Sequence, residues 1–373
     1  MADPARRYWP KLLLLISMVL SNCGAGKSVA PGDIASADNS GVLDLHRGDS
    51  LAEVKVPGDI PPPVPDKPAD VAALVEPHRI WSDLVLLSKP RPPGSEQWQL
   101  AQDLCADRFA ALGYEVSIEP FDMESHSGVN VLGTLPGSGL PDEMVYISAH
   151  YDHIADCDGA DDNASGIAGV LESARVLAAA SYRRTLVVAC WDLEELGLKG
   201  SRAHTARLKE GSQEVVVSFV YEMIGYRSME PGSQEIPPGL DLLFPEEAAL
   251  LAANDYKGNS LVVVADSFAH LPAKNLAFFA EQLTATPVVL LELDQAQKNS
   301  PIFFTLQRSD HGAFWLEDYP AMMLTDTAEY RNKNYHCTAG PDSVDRLDRD
   351  YAADIVRATT AAAAMTLEFS AEE

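Results

Sequence analysis

The chain has 373 residues, a hydrophobic share of 46% and a formal net charge of -27. That length fits one α/β domain with a long tail or two smaller domains, and the composition is globular. A chain this acidic gains little by displacing counterions from a phosphate backbone, which argues against nucleic acid as a partner; the acidity reads as solubility in an exported or saline setting.

Taken in order, Arg6, Arg7 and Lys11 lead into the apolar run 12–20, the pattern of an export signal. That run is too short to span a bilayer comfortably, and nowhere does the chain offer a longer apolar stretch of spanning length. Leu20-Ser-Asn-Cys23-Gly resembles a bacterial lipobox, with Asn22 where a small residue is expected before the cysteine. Cys23 is therefore a candidate lipid anchor to a membrane, with plain secretion as the alternative. The expected organisation is a signal segment over 1–23, a Pro/Gly/Ser-rich tether over 24–66 and one folded domain over 67–373.

A helical pattern runs over 68–88 and stops at the breaker Pro90-Arg-Pro-Pro-Gly-Ser95. Ser95 then caps a second amphipathic helix that ends at Gly113. Strands are expected over 114–121, 129–134 and 144–149, and Asn163 is placed to cap a helix that buries Ile167, Val170, Leu171, Ala174 and Ala178. Continuous apolar strands follow over 184–191 and 215–221. The stretch 227–258, broken by Pro231, Pro237, Pro238 and Pro245, reads as a loop over the rim that narrows access. Further strands over 261–265, 287–291 and 321–325 alternate with helical patterns, and an Ala-rich helix closes the chain over 346–369. This alternation predicts an α/β fold, a mostly parallel mixed sheet with helices on both faces.

Polar residues that follow the strands form a convergent set: His150, Asp162, Glu194 with Glu195, Glu222, and His336. Ligands in open α/β sheets bind outside the carboxyl ends of the strands. Singly, a histidine at a strand end is more often structural and a Glu-Glu pair is more often a solvated turn. Their recurrence carries the argument, because carboxylates that follow buried strands are costly to bury without a cation. Imidazole with carboxylate suits zinc, and one bridging carboxylate lets such a set hold two ions roughly 3.5–4 Å apart, with an acid left over for proton transfer.

His150-Tyr-Asp152, Gly159-Ala-Asp-Asp162-Asn-Ala-Ser-Gly166, Glu194-Glu195-Leu-Gly-Leu-Lys-Gly-Ser201, Ser309-Asp-His311 and Asn334-Tyr-His336 resemble, in order, the motifs of the M28 zinc peptidases, typified by bacterial co-catalytic aminopeptidases. The resemblance spans about 68–369 and implies a single zinc-exopeptidase-like domain acting on peptide substrates with two Zn2+ ions. It implies that Asp162 bridges the ions, that His150 and Glu222 complete one site, and that Glu195 and His336 complete the other. Glu194 would be the general base, Tyr335 a donor to the developing oxyanion, and Asp152 the carboxylate that fixes the tautomer of His150. Many relatives carry Asp where this chain has Glu222, which moves the carboxylate by about one bond.

A mononuclear glutaminyl cyclase and a non-catalytic binding protein on the same fold are the competing readings; the complete ligand set argues against both. Of the remaining cysteines, Cys105 and Cys190 read as small buried thiols. Cys157 and Cys337 each lie near a metal-ligand candidate and form a candidate oxidised pair in an exported protein. His46 falls in the tether, His78 and His204 on helix surfaces, and His126 and His270 in loops or strand ends. His153 carries no separate signal, His311 is not expected to be a ligand, and Ser309 is not a nucleophile because no base and orienter accompany it.

Overall fold

The structure, a computed structural model, describes residues 64–370; the export signal, Cys23, His46 and the tether up to residue 63 lie outside the described residues. Eight strands form one sheet: β1 Glu115–Met123, β2 His126–Leu135, β3 Leu140–His150, β4 Arg184–Trp191, β5 Glu214–Glu222, β6 Leu261–Asp266, β7 Val288–Leu293 and β8 Ala321–Thr325. Their order is β1-β2-β4-β3-β5-β8-β6-β7. The β4-β3-β5-β8 centre is parallel, β1 and β2 join it as an antiparallel hairpin, and β6 meets β8 antiparallel while pairing parallel with β7. The sheet is thus mixed with a parallel middle, as the strand and helix alternation predicts.

The β-branched and apolar runs bury both faces. Val145, Ile147, Leu186, Val188, Val217 and Phe219 face one layer, formed by the helices Glu96–Ala111, Gly166–Leu177, His270–Leu283 and Arg349–Leu367 with the two N-terminal helices. Residues one step out of phase, such as Tyr146, Val187, Trp191, Val264 and Met323, face a smaller layer that includes the helices Lys199–Glu210, Pro245–Ala253 and His311–Leu316. This is the period-2 alternation of a strand read on both sides. The last helix contributes Ala358, Ala361, Ala362, Ala363 and Ala364, all buried. Their small side chains let its backbone lie close to its neighbours. Pro120 sits in β1, the sheet edge, where a missing N–H leaves no ladder bond unmade.

Three expectations need correcting. The pattern over 68–88 is two helices, Pro68–Ala73 and Pro77–Leu87, because Pro77 supplies no N–H and starts a new first turn. The excursion 227–258 contains the helices Leu240–Leu243 and Pro245–Ala253. Cys105 and Cys190 are joined as a disulfide between the helix Glu96–Ala111 and β4, a link across 85 residues that neither local pattern reveals. Cys157 and Cys337 form a second disulfide. Ser95 does cap its helix, its Oγ accepting from Trp98 N at 3.1 Å. No helix among the described residues is long and apolar enough to cross a membrane.

Candidate metal centre

Chain order explains where the site lies. From β3 the chain crosses to β4 on one side of it through the helix Gly166–Leu177, then to β5 on the other side through Lys199–Glu210. The two helices belong to opposite layers. β3 is therefore a topological switch point, and a crevice opens at its carboxyl end. His150 is the last residue of β3 and Glu222 the last of β5. Glu194 and Glu195 follow the end of β4, Asp162 lies in the loop after β3, and His336 lies in the loop after β8.

The structure gathers these residues into two clusters that share Asp162. In one, His150 Nε2 lies 3.4 Å from Asp162 Oδ1, 3.4 Å from Glu222 Oε2 and 4.0 Å from Glu194 Oε2. In the other, His336 Nε2 lies 3.2 Å from Asp162 Oδ2 and 3.1 Å from Glu195 Oε2. Buried Nε2 atoms of His150 and His336 make no hydrogen bond among the described residues despite these distances. These nitrogens therefore stand close to carboxylate oxygens without being paired with them. That arrangement, with its nitrogen and oxygen chemistry, fits a divalent ion of the zinc type in each cluster.

The electrostatics are those of a cation site. Burial alone would raise the Asp162 carboxyl, but His153, His150 and His336 hold it well below the usual range. Burial pushes Glu194 well up, and the negative charges of Glu222, Asp310 and Glu195 push the same way against His150. Burial also raises Glu222, only partly opposed by His150. His336 resists its partial burial and is pushed up to about 10 by Asp162 and Glu195. Asp310, with neither carboxylate oxygen hydrogen-bonded in the described structure, is pushed up to about 7, burial being the largest cause.

Supporting contacts hold the ligands. Ser309 Oγ donates to Glu222 Oε2 at 2.7 Å, which fixes the longer side chain at this position. Asn163 Oδ1 accepts from Gly166 N and from Met223 N, both at 3.1 Å, so it holds the first N–H of the helix, whose N-cap position is Ser165 and not Asn163 as expected, and also pins the backbone after Glu222. Leu193, Met223 and His336, each at or beside a candidate ligand or base, have left-handed backbones with φ of 56°, 55° and 52°. Backbone strain in residues with a Cβ concentrates at functional sites. At Gly159, φ is 56° and a Cβ would run into the Asp162 carbonyl and the His153 ring.

Two expected roles differ in detail. His150 Nδ1 faces the backbone oxygen of Asp152 at 3.2 Å, nearer than the Asp152 carboxylate at 3.6 Å. That carboxylate instead accepts from Glu194 N at 3.0 Å and Glu195 N at 3.2 Å, so Asp152 orients the base and a ligand through their backbone. Tyr335 stacks on His336 with centroids 3.9 Å apart, and its hydroxyl accepts from Arg308 Nη2 at 3.2 Å. His153 is the residue that sequence reasoning missed. Wholly buried, it places Nδ1 2.8 Å from Glu195 Oε1 and joins Asp162 and Glu195 in a group of ligand type. Its place three residues after His150 was the one available signal. His204 is not a surface residue: it is buried between Tyr146 and Glu119. His311 is buried with Nε2 at the Leu306 carbonyl, 2.8 Å away.

Beside Glu222 a cavity of about 110 Å³ runs over the second layer. Its floor includes Val262, Val264, Leu291 and Met323, and Phe244 and Leu251 of the excursion cover it. Tyr335 and Arg308 also line it, with Glu222.

A parallel-centred α/β sheet with paired histidine and carboxylate clusters at its switch point defines a site of metal-binding type. Residues 130–363 match the model of peptidase family M28, and the chain belongs to that family. It is similar to "Uncharacterized protein YfbL" of Escherichia coli strain K12, 33% identical over 228 residues that cover 57% of this chain and 64% of the relative. The chain spans less than two thirds of the length of the first curated relatives it matches. By fold alone it resembles BSAP, a zinc aminopeptidase from Bacillus subtilis, with a TM-score of 0.60, 15% identity and coverage of 83% of this chain and 97% of that one. It also resembles Macrostomum lignano glutaminyl cyclase, with a TM-score of 0.58, 16% identity and coverage of 82% and 93%.

Proposed function

We propose that the chain is a zinc-dependent aminopeptidase that removes N-terminal residues from peptides and holds two zinc ions. The observation that carries this reading is the pair of clusters sharing Asp162, with Glu194 at the edge of the first. His150, Asp162 and Glu222 would hold one ion, and Asp162, Glu195 and His336 the other. The ions supply Lewis acidity toward a carbonyl oxygen and acidify water. Glu194 takes the proton from the attacking water at a carboxylate oxygen and delivers it to the departing amine nitrogen. Tyr335 presents its hydroxyl to the oxygen that gains charge. His153 orients Glu195, and Asp152 holds the backbone of both adjacent glutamates. The cavity beside Glu222 receives the first side chain, and its apolar floor favours a long one.

The test is zinc content together with hydrolysis of aminoacyl amides by the full chain, before and after chelation. About two ions per chain and chelator-sensitive release are expected. Leucyl or methionyl amides should exceed alanyl amides in kcat/KM by roughly tenfold or more, since each methylene in an apolar pocket discriminates by about 1–3 kcal/mol. One ion with cyclisation of N-terminal glutamine would instead establish the cyclase reading, and no metal would leave a binding protein.

Export and anchoring through Cys23 form part of this proposal. Two disulfides support an oxidising compartment. A Cys23→Ser chain should leave the membrane fraction for the soluble one; equal membrane retention would remove the anchor and leave plain export.

A further inference from the structure

We infer that Arg91 is a positioning residue for the metal centre: its guanidinium shapes the loop that joins His150 to Asp162. Arg91 lies in the Pro-rich connector between two helices, far from any ligand in sequence, yet it is 1% exposed. Its Nε donates to Tyr151 O at 3.0 Å. One terminal nitrogen, Nη1, donates to Leu87 O at 2.6 Å, Lys89 O at 3.0 Å and Asp158 O at 2.9 Å. The other, Nη2, donates to Gly159 O at 3.0 Å and reaches Asp162 O at 3.4 Å. In return the carbonyl of Arg91 accepts from His153 N at 3.2 Å.

These partners trace the loop from one ligand to the other. Between His150 and Gly159 the backbone has no helix or strand. Carbonyls in such a segment still need donors when buried, and Arg91 provides them at Tyr151, Asp158, Gly159 and Asp162. The choice of arginine follows from its planar fork of five N–H groups, which a lysine ammonium does not reproduce. Burial draws the guanidinium down to about 10, so it stays charged at neutral pH, and Asp162, Asp152, Asp342 and Glu195 favour that charge. No carboxylate hydrogen-bonds Arg91 among the described residues. Its donors are spent on backbone shape, while its charge is matched by the acidic cluster as a whole.

The charge and the shape predict opposite effects. A cation near two metal sites repels the ions, so removing the charge alone would tighten zinc binding. Removing the donors releases the loop and separates His150 from Asp162, which weakens it. We place the donors first. Groups that orient metal ligands from behind typically change affinity by 10–100-fold.

The inference rests on the zinc reading, and the experiment separates the two. Zinc stoichiometry and Kd would be measured by chelator competition for the full chain, for Arg91→Lys and for Arg91→Met, with circular dichroism and melting curves, well below each melting temperature. Parent protein that binds no zinc would remove the zinc reading itself. With a zinc-binding parent, both variants are expected to bind at least tenfold more weakly while retaining native circular dichroism. Arg91→Lys is the deciding case, since it keeps the charge and loses the fork. Unchanged or tighter binding in a folded Arg91→Lys would overturn the inference. So would failure of Arg91→Lys to fold, because Arg91 would then serve the fold as a whole and not the ligand loop.

Discussion

Glu194→Gln is expected to lower kcat/KM for peptide amides by about 10²–10⁴-fold, the range of a positioned general base, with zinc content unchanged. Glutamine keeps the shape of the side chain and removes its ability to take a proton. A thousandfold loss corresponds to about 4 kcal/mol in the barrier. The location of Glu194 supports this assignment over a structural one. Its backbone N–H is held by Asp152 at 3.0 Å, and the left-handed Leu193 before it turns the chain at the end of β4. The carboxylate then lies 4.0 Å from His150 Nε2, farther than either Asp162 or Glu222 at 3.4 Å. That extra distance suits a group that faces substrate and water beside the ligands. Burial and three neighbouring carboxylates raise its pKa, which makes it a stronger base than a solvated glutamate. Kinetics of the purified variant beside its zinc content decide the matter. Full activity with zinc bound would sink the assignment, and loss of zinc would make Glu194 a ligand instead.

Sequence reasoning reached the parts of this site that local pattern encodes. Arg184–Trp191 and Ala321–Thr325 form the strands expected over 184–191 and 321–325, since runs of buried apolar residues leave no other placement. Every ligand candidate ends a strand or lies in the connection after one, so the topology brings His150, Asp162, Glu195, Glu222 and His336 together. What escaped was long-range. Arg91 reads as part of a Pro-Gly breaker, and only the fold shows that its side chain crosses to residues 60 to 71 positions away. His153 looks redundant beside His150 until the loop turns its ring onto Glu195. The Cys105–Cys190 link depends on a helix packing over β4, which neither a helical period nor an apolar strand specifies. The excursion 227–258 contains many prolines, and prolines permit short helices when they fall in the first turn, as Pro245 does.

Asp162→Asn should release zinc from both clusters, whereas Glu222→Ala should empty only the first. Asp162 is the residue common to both, with Oδ1 toward His150 and Oδ2 toward His336. Asparagine keeps one oxygen able to face a cation and loses the charge, so one of the two clusters meets an amide NH2, which has no lone pair to offer an ion. The backbone at Asp162 is independently held, its N–H donating to Asp342 Oδ2 at 3.1 Å, so the substitution tests the carboxylate and not the loop. Stability gives a second readout. In the parent, zinc at about a thousandfold excess over Kd contributes about 4 kcal/mol, and chelation should lower Tm by on the order of 10 °C. Without zinc, four carboxylates, Asp162, Glu194, Glu195 and Glu222, crowd around three imidazoles, those of His150, His153 and His336. Asp162→Asn removes one of those charges and is expected to hold no zinc, so its Tm should be insensitive to chelator. The sign with pH is also set. Imidazoles depress the Asp162 pKa in the folded state, so this carboxylate stabilises the metal-free parent above its unfolded pKa and that contribution fades as pH falls toward the folded value. The variant should lack that acid-side loss, and its melting temperature in chelator should fall less steeply below pH 4 than the parent's. Two zinc ions retained in Asp162→Asn would show that the clusters are independent, and the shared-carboxylate arrangement would have to be abandoned.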